Sequence, residues 1–572
     1  MPNSASSSNS RHCRQPPAAP LRFLRHASSV VNTNARPWMM RWRDRQSVTD
    51  ITTTSDRSFI LRLILAAAVI MLPMLTFPMH TDHATFIRGG MALMQGGTLY
   101  VDFIDVKPPL IYGIYGIAGT LFGVNPLSVR LFDLLWQLAT IYVIIQTLKS
   151  FGLSRTTQAF TSVIYALLYI TLHYPMTGQT ETFMALPFAA AIWTYGWQRS
   201  WKRDAVLGLC LASILLFKYT LGIVIPIFII ASWVRRASTT SFLTESARVA
   251  LATVAALAAL LAPFAMGSGF FTGWSNVMSY LGAYSSYPPY SMVLFREGLK
   301  ALGEFAGDNI SLVVSVAAII GAASLRGASR PSQERLLIAL CILLIMALLG
   351  TVAMERRFWP YHIARIYVPL ALLAGIGASK MWAWYRTHPA PADALSRMAL
   401  VAGMIAAAIF SPLPRLGAEV AVAARSLVDP HVYDRYLTRP EHGSVPWGQI
   451  RDLERSLATR VQRTDHVMLM SVTAAMIVPF IPSDDVSPFC DSHLYFGVGA
   501  PEAWRRQALD EMRHSTWVVV DTADVHGLAN LHDRSSFTSL NPDPEFRTTP
   551  ETAFTLDTMV HSFRIYHRRL QP

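Results

Sequence analysis

The sequence predicts a polytopic α-helical membrane protein with about eleven transmembrane helices, outer juxtamembrane helices and a small C-terminal α/β extramembrane domain. Three observations predict it. Of 572 residues, 52% are hydrophobic and only 15% charged, with a mean hydropathy of +0.32, too apolar for a soluble enzyme of this length. Apolar windows of roughly 20 residues, which cross a bilayer as helices with every backbone group paired, recur up to residue 413. Beyond them the chain turns to short β-branched runs and amphipathic stretches.

Residues 1–58 are rich in Ser, Pro and Arg and lack apolar periodicity, so they read as a disordered basic cytoplasmic tail. Spans are expected near 59–78, 128–148, 158–173, 183–198, 204–217, 219–234, 246–266, 309–325, 335–353, 364–383 and 397–413. Basic residues collect in alternate connections: Lys149 and Arg155; Arg199, Lys202 and Arg203; Arg235 and Arg236; Arg326, Arg330 and Arg335; Lys380, Arg386 and Arg397. The positive-inside rule makes those loops cytoplasmic. This accounts for the net charge of +13 without nucleic acid, for which no basic stripe with interleaved aromatics exists.

The remaining connections fall outside: the first outer loop 79–125, then 174–182, a turn at Lys218, 267–308 and 354–363. In the first of these, Phe86, Ile87, Met91, Leu93 and Met94 have the spacing of an interfacial helix. The run PPLIYGIYGIAGTLFG is too short and Gly-rich to cross and reads as a second juxtamembrane helix. The transmembrane domain thus occupies 59–413, and 414–572 forms an extracytoplasmic domain. There HVMLMSV and WVVVDTAD read as buried strands, DLERSLATRVQ and EAWRRQALDEMR as helices, and SFRIYHRR as a final edge strand. The four cysteines, Cys13, Cys210, Cys341 and Cys490, are too scattered for a disulfide or zinc framework. The expected setting is a bacterial inner membrane, multi-pass, with the N terminus cytoplasmic and the C-terminal domain periplasmic or extracellular.

The unusual polar residues lie on the outer face. Asp82 follows the first span, where an Asp also serves as a helix cap. Asp102 and Asp105 fit solvated turns, and Lys107 fits a snorkelling lysine. Glu181 and Lys218 stand at span edges, costly positions without a cavity and a partner. ERRFWPYHIARIYVPL brings Arg356, Arg357, His362 and Arg365 to the same level, with Tyr361 and Trp359 beside them. Cations next to apolar grooves suit a phosphate head on a hydrocarbon tail, and a carboxylate nearby suits proton abstraction from a hydroxyl.

An acid after the first span, then GGTLYVDFIDVKPPLIYGIYGIAGTLFG and SVRLFD, resembles the GT-C superfamily of polytopic glycosyltransferases, in particular the group of protein O-mannosyltransferases and the lipid A aminoarabinose transferase. RRFWPYHIARIYVPLALLAGIG is similar to that family's late outer loop. The resemblance implies a membrane glycosyltransferase that moves a sugar, with inversion, from a polyprenyl-phosphate-linked donor to a glycan, lipid or protein acceptor outside the membrane. It implies Asp82 as general base or acceptor orienter and Lys107 near the donor phosphate. The residues themselves add Lys218, His362 and Arg365 as further phosphate ligands, and Glu181, Asp102, Asp105 and Tyr361 as substrate-orienting groups. Many members carry Asp-Glu where this chain has Asp82-His83. No obligatory metal or other cofactor is therefore expected, although His83 is a candidate ligand should a divalent cation bind. A transporter or flippase of lipid-linked saccharides is the alternative, but the polar residues crowd one face and no internal repeat is visible.

Overall fold

The computed structural model describes residues 54–569, except 199, 235–238, 287–290, 308, 326–331, 388–412, 427, 430–431, 433–446, 498, 525–534 and 541–542. The chain divides at Phe59, and all that follows concerns the compact unit Ile60–Pro572. Most of the expected basic tail and nearly all of the expected span 397–413 lie outside the described residues.

A helix stands at every expected span up to 364–383. Five are long and apolar enough to cross a membrane unaided: Asp56–Thr76, Leu127–Ser150, Phe242–Ala265, Gln333–Glu355 and Pro360–Thr387. Four other expected spans are the shorter helices Arg155–Ile170, Ala185–Tyr195, Trp201–Phe217 and Val224–Val234. Their brevity has a local cause in two cases: the fourth is preceded by a 3₁₀ turn, Tyr219–Ile223, and the third ends where Lys218 takes an extended backbone. Close packing uses small residues, as expected where lipid offers no hydrophobic drive between helices. Gly375 lies against Thr161 and Gly377 against the Ala317 carbonyl, drawing Tyr367–Thr387 onto Arg155–Ile170 and Asn309–Ala323.

Connections that share a basic character also meet in space. Arg203 pairs with Glu245 at 2.6 Å and Arg248 with Asp204 at 2.8 Å, joining two connections assigned inside. Lys380 meets Glu334 at 2.6 Å, joining two more.

The first outer loop contains the two expected helices, Thr81–Met94 and Leu110–Phe122, crossing where Gly90 approaches Gly116 so closely that a Cβ on Gly90 would lie 2.5 Å from the Gly116 nitrogen. The C-terminal part carries a sheet of β1 (His466–Met470), β2 (Asp485–Val486), β3 (Trp517–Asp521), β4 (Phe554–Val560) and β5 (Phe563–Arg568), in the order β2-β1-β3-β5-β4. β2, β1 and β3 are parallel, and β5 is antiparallel to both β3 and β4. SFRIYHRR is therefore an interior strand. The expected edge position belongs to β4, because a tight turn with His561 at φ 52° folds TLDTMV back along its outer side.

This part is joined to the first outer loop by backbone. Ile104 bridges Phe489 in parallel fashion, with its N–H donating to the Pro488 carbonyl at 2.9 Å. Arg88 donates to the Phe489 carbonyl at 2.9 Å and to that of Ser487.

Candidate functional site

Four separate segments build a buried charged cluster. Glu181 enters on the short turn Thr180–Phe183, fully buried, and accepts from the Thr180 hydroxyl at 2.5 Å. Lys218 enters where its extended backbone ends the 201–217 helix. Glu355 closes the 333–355 helix one turn after Thr351, so both face the same way. Arg356 then takes a left-handed φ of 55° that reverses the chain. Pro360 starts a new turn with fixed φ, setting His362 and Arg365 three residues apart on one face.

The contacts form a closed set. Lys218 Nζ lies 2.9 Å from Glu181 and 3.3 Å from Glu355. The Arg365 guanidinium donates to Glu181 at 3.1 Å, to both Glu355 oxygens at 3.0 Å and to the Thr351 hydroxyl at 2.7 Å. His362 Nδ1–H donates to the Arg357 carbonyl at 2.8 Å, which leaves Nε2 facing Glu181 at 3.7 Å. Two carboxylates thus meet two cations, and the charges balance.

Glu181, Glu355 and His362 offer one ligand atom each within 4.8 Å of one another, a set able to hold a metal ion. In this arrangement the carboxylate oxygens are already taken by Lys218 and Arg365. A divalent cation would have to displace both or sit against two positive charges, so the fit is poor.

Asp82 and Lys107 differ from the cluster in being unpaired. Asp82 lies in the first turn of the 81–94 helix, half-buried, and its carboxylate has no hydrogen-bond or ion-pair partner among the described residues. It is not the cap: His80 holds that position, its N–H donating to His83 Nδ1 at 3.1 Å. Lys107 also has no counter-ion within salt-bridge distance among the described residues, and its ammonium lies 5.8 Å from the centre of the Tyr361 ring. Burial works against its charge, but Tyr361, Asp82, Glu181 and Asp105 together hold its pKa well above that of an ordinary lysine. The acid and the cation are therefore within electrostatic reach of each other. Tyr100, at φ 67°, secures the Lys107 backbone by donating its hydroxyl to the Lys107 carbonyl at 2.9 Å.

The other expected residues take different places. Tyr361 is buried beneath Lys107 and edge-on to His362. Asp102 is exposed, and its carboxylate accepts the Thr98 N–H at 2.7 Å, the turn role weighed against a substrate-orienting one. Asp105 is buried rather than solvated. It accepts the Tyr112 hydroxyl at 2.5 Å, and burial raises its pKa against the opposing pull of Tyr112 and Lys107. His83 is unavailable to a metal: Nδ1 accepts from the His80 N–H and faces Arg130 at 3.3 Å, and Nε2–H donates to the Thr177 carbonyl at 2.6 Å. Burial and the Arg130 charge lower its pKa well below the usual histidine value.

No protein-family model and no curated protein sequence matches the chain. Among solved structures, ArnT from Cupriavidus metallidurans bound to undecaprenyl phosphate matches with a TM-score of 0.52 at 14% identity over 90% of this chain and 98% of that one. ArnT in the apo state gives 0.53 at 13% identity over the same shares. The chain shares its fold with these ArnT structures. An Archaeoglobus fulgidus oligosaccharyltransferase complex with Zn and sulfate is a looser match, with a TM-score of 0.43 at 12% identity over 81% of this chain and 68% of that one. The layout that the resemblance implied is shared with the ArnT structures over 90% of the chain. Glu355 was missed in the sequence. It opens the stretch ERRFWPYHIARIYVPL in the expected outer connection 354–363, and nothing in the composition shows that it pairs with Lys218 and Arg365.

Proposed function

We propose that this protein is a GT-C glycosyltransferase that moves a sugar from a polyprenyl-phosphate donor to an acceptor hydroxyl or phosphate on a glycolipid, polysaccharide or protein outside the cytoplasm. The observation that carries this reading is an unpaired carboxylate, Asp82, within electrostatic reach of an unpaired ammonium, Lys107, beside a cluster whose other charges are matched. Two further observations support it: the shared fold, and an apolar groove of about 200 Å³ between the 81–94 and 110–122 helices, suited to a hydrocarbon chain.

Lys107 holds the donor phosphate by a charge-assisted bond. Asp82 takes the proton from the acceptor as its oxygen attacks the anomeric carbon. The new C–O bond forms as the sugar–phosphate bond breaks on the opposite face, so the configuration inverts and the phosphate leaves as an anion that Lys107 stabilises. The matched cluster holds Tyr361 and the neighbouring turn rigidly under Lys107. Lys218 and Arg365, expected as phosphate ligands, act in this reading through Glu181 and Glu355.

In purified protein, Asp82→Asn should lower transfer by roughly 10²–10⁴-fold while leaving binding of undecaprenyl phosphate nearly intact. Lys107→Ala should weaken that binding by on the order of 1.5–3 kcal/mol. Wild-type turnover in both variants would refute the assignment, and transport of a lipid-linked saccharide into sealed vesicles without transfer would favour the flippase alternative.

A further inference from the structure

Taking the charges of the outer site in turn leaves one cation without a use. Arg357 is 7% exposed, as deeply set as many core residues. Among the described residues its one hydrogen bond donates from Nη2 to the Tyr284 carbonyl at 3.4 Å, and its guanidinium lies 4.1 Å from the centre of the Tyr284 ring. Nε is enclosed and has no partner among the described residues. No carboxylate lies within salt-bridge distance of it among the described residues, in contrast to Arg365 two turns further along, which meets two. Asp491, on the C-terminal side of the site, is already engaged by His493 at 2.7 Å.

A buried guanidinium without an anion is costly. Stacking on one tyrosine relieves only part of that cost. Its place is also informative. Its own carbonyl accepts His362 Nδ1–H at 2.8 Å, and the His362 ring meets, at 4.5 Å between centres, that of Tyr361, the ring beneath Lys107. Two cations without counter-ions therefore stand on neighbouring tyrosines. Arginine differs from lysine here: its planar fork matches two oxygens of one oxyanion, where an ammonium acts as a point charge.

We infer that Arg357 anchors a second oxyanion subsite beside Lys107, taking a phosphate carried either by the donor lipid beyond its first phosphate or by the acceptor. This rests on the reading of Lys107 as ligand of the donor phosphate. Arg357 selects substrates that bring two anionic groups, and Tyr284 fixes the plane of the fork.

The test uses detergent-purified full-length protein and three probes: undecaprenyl phosphate, undecaprenyl diphosphate, and inorganic phosphate added to protein saturated with undecaprenyl phosphate. In the wild type, a preference of about tenfold for diphosphate over monophosphate places the second phosphate on the donor. Binding of inorganic phosphate to the saturated protein places it on the acceptor. Arg357→Gln should abolish whichever response is seen and leave monophosphate affinity within about twofold. Should that variant not fold, Arg357→Lys, which keeps the charge but loses the fork, should weaken the same response severalfold. The inference is overturned if the wild type shows neither response, or if the responses survive unchanged in the folded variant. Lys107→Ala is read separately: unchanged monophosphate affinity there removes the donor assignment, while the Arg357 variants still decide the second subsite.

Discussion

Arg365 and Glu181 show what a matched buried pair demands. Both are almost wholly buried, and each has partners besides the other: Lys218 for Glu181, and Glu355 and Thr351 for Arg365. Removing one side leaves a charge buried without its counterpart. Arg365→Gln and Glu181→Gln should each lower the thermal unfolding midpoint, corresponding to about 3–5 kcal/mol, and the double variant should lose less than the two added together. The wild-type midpoint in either single variant would show that the cluster is not a stability element. At this scale, position relative to the membrane edge made Asp82, Lys107, Glu181, Lys218, His362 and Arg365 legible in the sequence. Pairing was not legible. Which cations are satisfied depends on Glu355 and on the reversal at Arg356, and neither follows from hydropathy. Asp102 was misleading for the same reason, since an acid in a short polar loop has the same composition whether it faces a substrate or closes its own turn.

Among the elements, the β1–β3 pair carries an unusual acid. Asp524 follows β3, and its carboxylate accepts the Val472 N–H at 2.9 Å, the Ser536 N–H at 2.7 Å and the Ser536 hydroxyl at 2.6 Å. Burial, then the nearby Asp521, raises its pKa to about 7. An acid whose folded pKa lies above the unfolded value binds its proton more tightly in the folded state, so it costs stability as pH rises from the unfolded value of about 3.9 towards 7. The unfolding midpoint should therefore fall across that window relative to Asp524→Asn, which should flatten the dependence. Parallel profiles for the two proteins would show that Asp524 does not govern it. The strands β1 and β3 were readable because a run such as WVVVD is apolar on both faces, as buried parallel strands are. β4 was not, because its mostly exposed residues look like a loop until β5 pairs with it. The short helices between residues 155 and 234 mark a similar limit: their apolar content and the turn at Lys218 were plain, but composition does not reveal that Tyr219–Ile223 is a 3₁₀ turn that shortens the next helix.

Over the whole molecule, the C-terminal part and the first outer loop behave as one structure. The Arg88 bonds, the Ile104–Phe489 bridge and the donation of Cys490 N–H to the Ile104 carbonyl at 3.4 Å fix the backbone just ahead of Lys107. Arg88→Ala should lose two charge-assisted bonds, a destabilisation of about 3–6 kcal/mol at most. It should speed hydrogen exchange at Ile104 and Cys490 while leaving the amides of the 333–355 helix protected. Unaltered exchange at Ile104 would mean that the bridge stands without the arginine. The change from apolar helices to a part with a small sheet was visible in the sequence from the change in composition. The joint between them was not, since on the C-terminal side it consists of backbone atoms only, those of Ser487 to Cys490, to which side-chain patterns give no clue.

That joint also orders events during synthesis. Arg88 and Phe489 are 401 positions apart, so the loop bearing Asp82 and Lys107 leaves the ribosome long before the segment that clamps it. At about 5–20 residues per second, the wait lasts tens of seconds. A nascent chain stopped before Ser487 would hold all the long apolar helices yet leave the Arg88 guanidinium without its carbonyls, so the loop that bears Asp82 and Lys107 is not clamped until the segment Ser487–Phe489 has been made.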